Sequence, residues 1–198
     1  MQEESKENTQ NRRFLTKSEE LQDSDWVDIL LHPVDLKDWK SAGVKAVGCL
    51  FGIPTKWVHT SLRISMEPEQ GQQRRGVLYD YTDRGVISYN KPRRKTTGII
   101  RLVVEPTYEG VQYISRIIER IDDMHQNEYP LDWWQGIPIV KREEPSSMVC
   151  TTFVMRALNL PCLGKKYRTP QAIMEQFKYN KFAIKNSAPI KDVLFWEE

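Results

Sequence analysis

Three residue types that together can cleave an acyl bond stand at separated positions in this 198-residue chain: a cysteine, a histidine and an aspartate. Cys150 falls at the predicted start of a helix, after Pro145, Ser146 and Ser147 and before the apolar stripe Phe153, Val154, Ala157 and Leu158. A helix N-terminus carries unpaired backbone N–H groups and a partial positive charge. Both stabilise a thiolate, and the N–H groups can also receive an oxyanion. A thiol attacks a carbonyl as its thiolate, so it needs a base or a lowered pKa. His59 is the candidate base, on the polar side of an alternating strand with Trp57, Ser61 and Arg63. Asp80, in the next predicted strand, can fix the tautomer and orientation of that histidine if the two strands pair in a suitable register. The sequence leaves that register open. The plain alternative for Cys150 is packing on the face it shares with Val154 and Ala157, because free cysteine is a common core residue.

These residues need elements to hold them. Alternation predicts a strand or strand entry over 25–31, strands over 58–64, 77–82 and 86–89, and a further strand over 99–104. Asp83-Arg84-Gly85 supplies the turn between two of them. A short helix is expected over 35–48, weakened by Gly43. The span 65–75, with Pro68, Gly71 and three glutamines, reads as a loop. Val111, Ile114, Ile117, Ile118, Ile121 and Met124 recur at helical spacing and predict an amphipathic helix. Ser146 or Ser147 is the expected N-cap of the Cys150 helix. Thr169-Pro170 opens a further helix running to Phe177. Phe182–Ile184 and Val193–Trp196 are expected as short extended pieces. No internal repeat is visible. Residues 1–24 are polar and read as a disordered or loosely attached arm, leaving 25–198 as a single domain.

Composition narrows the function classes. The apolar fraction of 39% supports a buried core, and a net charge of +2 gives no general pull towards nucleic acid. Cys49, Cys150 and Cys162 are too few and too widely spaced for a disulfide framework. Cys49 reads as core and Cys162 as a loop or helix-end residue. The histidines His32, His59 and His125 are scattered, so no metal site is expected. His32, before Pro33, reads as a surface or turn histidine, and His125 as a favourable charge at a helix C-terminus. The N-terminus lacks the basic-then-apolar order of a signal peptide, and no apolar run approaches about 20 residues. The chain therefore reads as soluble, cytoplasmic or carried within a larger particle, with no transmembrane segment.

The order histidine, acidic residue, cysteine resembles that of the circularly permuted branch of the NlpC/P60 papain-like cysteine hydrolases, which includes amidase-like proteins and relatives of lecithin–retinol acyltransferase. The resemblance covers roughly residues 25–178. It rests on Trp57-Val58-His59, on Leu78-Tyr79-Asp80-Tyr81 followed by Gly85-Val86, and on Val149-Cys150-Thr151-Thr152-Phe153-Val154. Asp28-Ile29-Leu30 is similar to the family's opening segment, with Val27 in place of its glycine. Tyr129 to Trp133 is similar to a Tyr-Asp loop, interrupted by Pro130 and Leu131.

The resemblance implies an α+β papain-like fold, an antiparallel sheet packed against the helix that begins at the cysteine. It implies Cys150 as nucleophile, His59 as base and acid, and Asp80 as orienting residue. The reaction implied is attack on an amide or ester carbonyl through a thioester, on peptidoglycan peptides or on lipid acyl groups, with no cofactor. Trp57, Tyr129, Trp133 and Trp134 are the aromatic candidates for substrate binding.

Two readings from other classes remain beside it. The fold could be a catalytically unused binding or structural component of a larger assembly, such as a phage particle. The basic concentration of Arg74, Arg75, Lys91, Arg93, Arg94 and Lys95 could meet an anionic partner, although a solvated hairpin end explains it as well and nucleic acid is not the favoured partner.

Overall fold

A computed structural model describes residues 25–35, 43, 45, 46, 56–65, 76–90, 94–131, 148–163 and 169–198. Six strands form one sheet: β1 (Trp26–Pro33), β2 (Trp57–Ser65), β3 (Gly76–Thr82), β4 (Gly85–Tyr89), β5 (Gly98–Val104) and β6 (Ile190–Glu197). Their spatial order is β4-β3-β2-β1-β5-β6, and every neighbouring pair is antiparallel. Four helices complete the described residues: α1 (Tyr108–Gln126), α2 (Cys150–Leu158), α3 (Pro170–Tyr179) and α4 (Lys181–Ser187). The fold is thus mixed α+β. Strands from both ends of the described chain, β1 and β6, belong to the same sheet. No helix among the described residues is long and apolar enough to cross a membrane.

Strand alternation decides which side chains meet the helices. Val27, Ile29 and Leu31 of β1, Leu62 and Ile64 of β2, and Ile100, Leu102 and Val104 of β5 form the main core with Ile117 and Ile121 of α1, Phe153 and Val154 of α2, and Phe177 of α3. The opposite face of the sheet carries a smaller apolar group, Leu30 of β1, Leu78 of β3 and Ile99 of β5, flanked by Tyr89 and Trp196. Gly85 closes the β3–β4 turn with φ of 80°, the left-handed conformation that favours glycine.

Three sequence expectations change, and Val193–Trp196 is extended as expected, as part of the longer β6. Val111 is exposed, and Tyr113 takes its place in the buried stripe of α1. Phe182–Ile184 is helical, within α4; the Ile184 N–H bonds back to the Asn180 carbonyl and only Ile184 is buried. The N-cap of α2 is Val149, in extended backbone; the Thr152 hydroxyl accepts from the Val149 N–H at 2.8 Å and takes over the capping role. Thr169 caps α3 with Pro170 at its first position, as the sequence indicates. Of the helix expected over 35–48, Gly43, Lys45 and Ala46 are helical and Asp35 is not. The rest of it, with Cys49, the arm 1–24, residues 66–75 of the expected loop, and Ser146 and Ser147, lies outside the described residues.

Candidate active site

The site forms where β2 and β3 part. Their pairing runs from Ser65↔Gly76 to Ser61↔Asp80 and no further. His59 and Thr60 therefore lie on β2 beyond the last paired residue. On its other edge β2 stays paired to β1, with a bulge where the register shifts between His32 and Pro33: His32 faces His59, and Pro33 faces Trp57. Val58 is the extra residue.

That bulge corrects one expectation. Trp57 does not share the polar side of His59. The extra residue turns its indole into the main core, where it is 1% exposed and its Nε1–H donates to the Thr97 hydroxyl at 3.1 Å. It packs beneath the site and offers no surface to a substrate.

Cys150 is the first residue of α2, so its N–H lies among those that the helix itself leaves unpaired. The side chain is partly buried. His59 Nε2–H donates to Asp80 Oδ1 at 2.5 Å, and the Tyr89 hydroxyl donates to Asp80 Oδ2 at 2.5 Å. With Nε2 taken, Nδ1 is the ring nitrogen left to interact with the Cys150 thiol, which is close enough for the two groups to shift one another's charge.

The charges follow from these contacts. Burial pushes the Cys150 thiol up, but the positive His59 ring and its hydrogen bond outweigh it, helped by the N–H and hydroxyl of Thr60, and the thiol is held below its ordinary value. Burial pushes the His59 imidazole down, yet the thiolate charge and the Asp80 hydrogen bond bring it up to about 10. Asp80, pushed up by burial, is brought below the usual carboxylate range by the hydrogen bond and charge of His59 and by Tyr89. Each charge thus favours the other: an imidazolium lowers the thiol, and a thiolate raises the imidazole.

Tyr129 lies close by. Its carbonyl accepts from the Tyr81 hydroxyl, and the Arg156 guanidinium of α2 sits 5.2 Å from its ring centre. Leu131 bridges Met148, two residues before Cys150, so this segment runs along the approach to the helix. Trp133 and Trp134 lie outside the described residues.

His32 is not at the surface. It is 2% exposed, its ring centre 5.6 Å from that of His59. Thr60, Tyr89 and His32 are the residues that the sequence reading missed. Extending the alternation of β1 past Leu31 puts His32 on the same side as Asp28, which was the available signal for it.

The remaining candidates lie apart. His125 is exposed in the last turn of α1. Cys162 sits in the turn after α2 with its Sγ 3.2 Å from the Ser187 hydroxyl. Of the basic concentration, Lys95 pairs with Glu198 at 3.8 Å and Arg94 is exposed; the other four residues lie outside the described residues. Among the described residues no group of three His, Cys, Asp or Glu side chains is placed to hold a metal ion. No family model, no curated protein and no solved structure matches the chain.

Proposed function

We propose that this chain is a cysteine hydrolase of the papain-like, permuted NlpC/P60 kind, cleaving an amide or ester carbonyl through a thioester. One observation carries the reading: Asp80 accepts from His59 Nε2 at 2.5 Å, the same imidazole and the Cys150 thiol are near enough to shift one another's charge, and the three residues come from three separate elements. A purely packed cysteine needs no imidazole with a carboxylate behind it.

The chemistry runs as follows. The Cys150 thiolate attacks the carbonyl carbon, forming a C–S bond while the carbonyl electrons move to oxygen. The N–H of Cys150, which the helix itself leaves without a partner, receives that oxyanion. As the C–N or C–O bond breaks, His59 Nδ1–H gives its proton to the leaving amine or alkoxide. Neutral His59 then takes a proton from water, the resulting hydroxide attacks the thioester, and the acid leaves as the thiolate re-forms. Asp80 keeps Nε2 protonated throughout and stabilises the imidazolium. An acceptor other than water makes the same intermediate a transferase intermediate. The family resemblance favours peptidoglycan peptides as substrates, and lipid acyl groups after them.

The test is the pH dependence of iodoacetamide alkylation, resolved by mass spectrometry at Cys49, Cys150 and Cys162. The expected result is fastest reaction at Cys150, with an apparent pKa below the ordinary thiol value of about 8.5, lost in His59→Ala. Equal, slow reaction at all three cysteines would instead support a catalytically unused binding or structural component.

A further inference from the structure

His32 is a buried, hydrogen-bonded imidazole beside the site that the proposed chemistry does not use. Its Nδ1 lies 2.9 Å from the Lys95 carbonyl, which can only accept, so Nδ1 carries a hydrogen. Its Nε2 lies 2.8 Å from the Ser61 hydroxyl, which donates to it when the ring is neutral. Both bonds together fix one tautomer and one ring orientation. The groups bearing on this ring come from every side: His59 on β2, Asp80 on β3, and Arg94 with the Lys95 carbonyl before β5. Burial and then the positive His59 hold His32 down at about 4, with a smaller push from Arg94; the Lys95 carbonyl and Asp80 act the other way. At neutral pH the ring is therefore an uncharged neighbour of a charged one. It lies directly across the β1–β2 pair from His59, the last regular pair before the register shifts at Val58.

We propose that His32 is a positioning residue: locked by Ser61 and Lys95, its ring backs the His59 ring and keeps the Nδ1 edge of His59 on the Cys150 sulfur. This inference rests on the reading of His59 and Cys150 as a working pair. It concerns a residue whose loss acts through His59 and not on the sulfur itself.

The readout is the apparent pKa of Cys150 from the alkylation profile, with Cys162 as internal control and a thermal melt alongside. His32→Phe keeps a ring but loses both hydrogen bonds. It should raise the Cys150 pKa by about one unit, so that alkylation at a pH below the wild-type pKa slows about tenfold, while Cys162 is unchanged. His32→Gln, whose side-chain carbonyl can accept from Ser61, should recover most of the loss. A Cys150 pKa unchanged in His32→Phe, or raised equally by both substitutions, overturns the proposal, even if the melting temperature falls. Should His32→Phe fail to fold, Ser61→Ala removes one of the two locks and leaves the ring; a rise in the Cys150 pKa supports the proposal and no change overturns it. If wild-type Cys150 itself shows no lowered pKa, the catalytic reading fails first. If it does, and these variants do not move it, only the role of His32 fails.

Discussion

Two carboxylates are buried on the same side of this sheet and are neutralised in opposite ways. Asp28 of β1 is fully buried between two arginines: Arg63 Nη2 donates to Oδ2 at 2.5 Å, and Arg101 reaches Oδ1 through Nε at 2.6 Å and Oδ2 through Nη2 at 2.8 Å. Trp26 lies under both guanidinium groups, 5.0 Å from Arg63 and 4.4 Å from Arg101. Burial would raise the Asp28 carboxyl, but the two arginines hold it low. Asp80 of β3, 3% exposed, has one tyrosine and one imidazole instead. A guanidinium does not give up its proton in proteins, so the first cluster is fixed in charge. An imidazole can, and behind it stands a sulfur able to exchange charge with it. The same sheet thus carries one carboxylate closed into structure and one left open to chemistry.

The comparison breaks most visibly at Asp28. Asp28→Ala leaves two buried or half-buried cations facing each other without their anion. Loss of one partner from a buried pair costs about 3–5 kcal/mol, so the melting temperature should fall steeply in calorimetry. At temperatures where the variant is folded, the alkylation profile of Cys150 should match wild type. A changed Cys150 profile would mean the two clusters are coupled, contrary to their separate hydrogen-bond partners.

His59→Ala has the converse signature. The fold should survive, while alkylation of Cys150 at pH 6 should drop on the order of 10²-fold as the thiol returns towards its ordinary value. Linkage gives the companion prediction. His59, raised from 6.5 to about 10, contributes stability that is full below 6.5 and lost as pH rises through about 10. Cys150, lowered from 9.0, contributes stability present above 9 and lost as pH falls through its folded value. Where the two windows overlap the slopes cancel, because the folded pair and the unfolded pair bind one proton each. Stability should be level within that overlap, below pH 9, and fall on the alkaline side between about 9 and 10. Urea unfolding across that range checks it, and His59→Ala should remove the alkaline fall.

Much of this was legible in local pattern, and what was missed was set by long-range geometry. The β3–β4 hairpin, the helix start at Cys150 and the candidacy of His59 and Asp80 all follow from short-range signals: alternation, Gly85, and an apolar stripe with period near 3.6. The β2–β3 register, which sets Asp80 opposite Ser61 and two residues from His59, depends on pairing across the span 66–75. The bulge at Val58 left no mark in residue types, and it alone sends Trp57 inward while His59 keeps the polar side. The Asp28 triad was missed because its partners lie 35 and 73 residues away.

The acid side sharpens the contrast between the two histidines facing each other across β1 and β2. His32, lowered from 6.5 to about 4, is neutral when folded and charged when unfolded between those values. The unfolded chain then binds one more proton, so stability falls as pH drops through that window. One proton is worth about 1.4 kcal/mol per pH unit, or about 3 kcal/mol across it. His32→Gln should reduce the acid slope of unfolding free energy by about one proton. An unchanged slope would mean that His32 is charged in the folded protein.

Thr60 offers the smallest and cleanest perturbation. Its hydroxyl is buried and has no hydrogen-bond partner of ordinary geometry, while both it and the Thr60 N–H favour the Cys150 thiolate. Thr60→Val keeps the shape and the N–H and removes the one polar atom. A weak donor lost from a charged sulfur should raise the Cys150 pKa by about half a unit and slow alkylation below the wild-type pKa by roughly threefold. Because a buried hydroxyl without a strong partner is itself unfavourable, the melting temperature should hold or rise. Thr60→Ser should restore the reactivity. Asp28→Ala moves stability and leaves reactivity, whereas Thr60→Val moves reactivity and leaves stability. A Thr60→Val protein with wild-type Cys150 reactivity would place the thiolate stabilisation wholly in His59 and the start of α2.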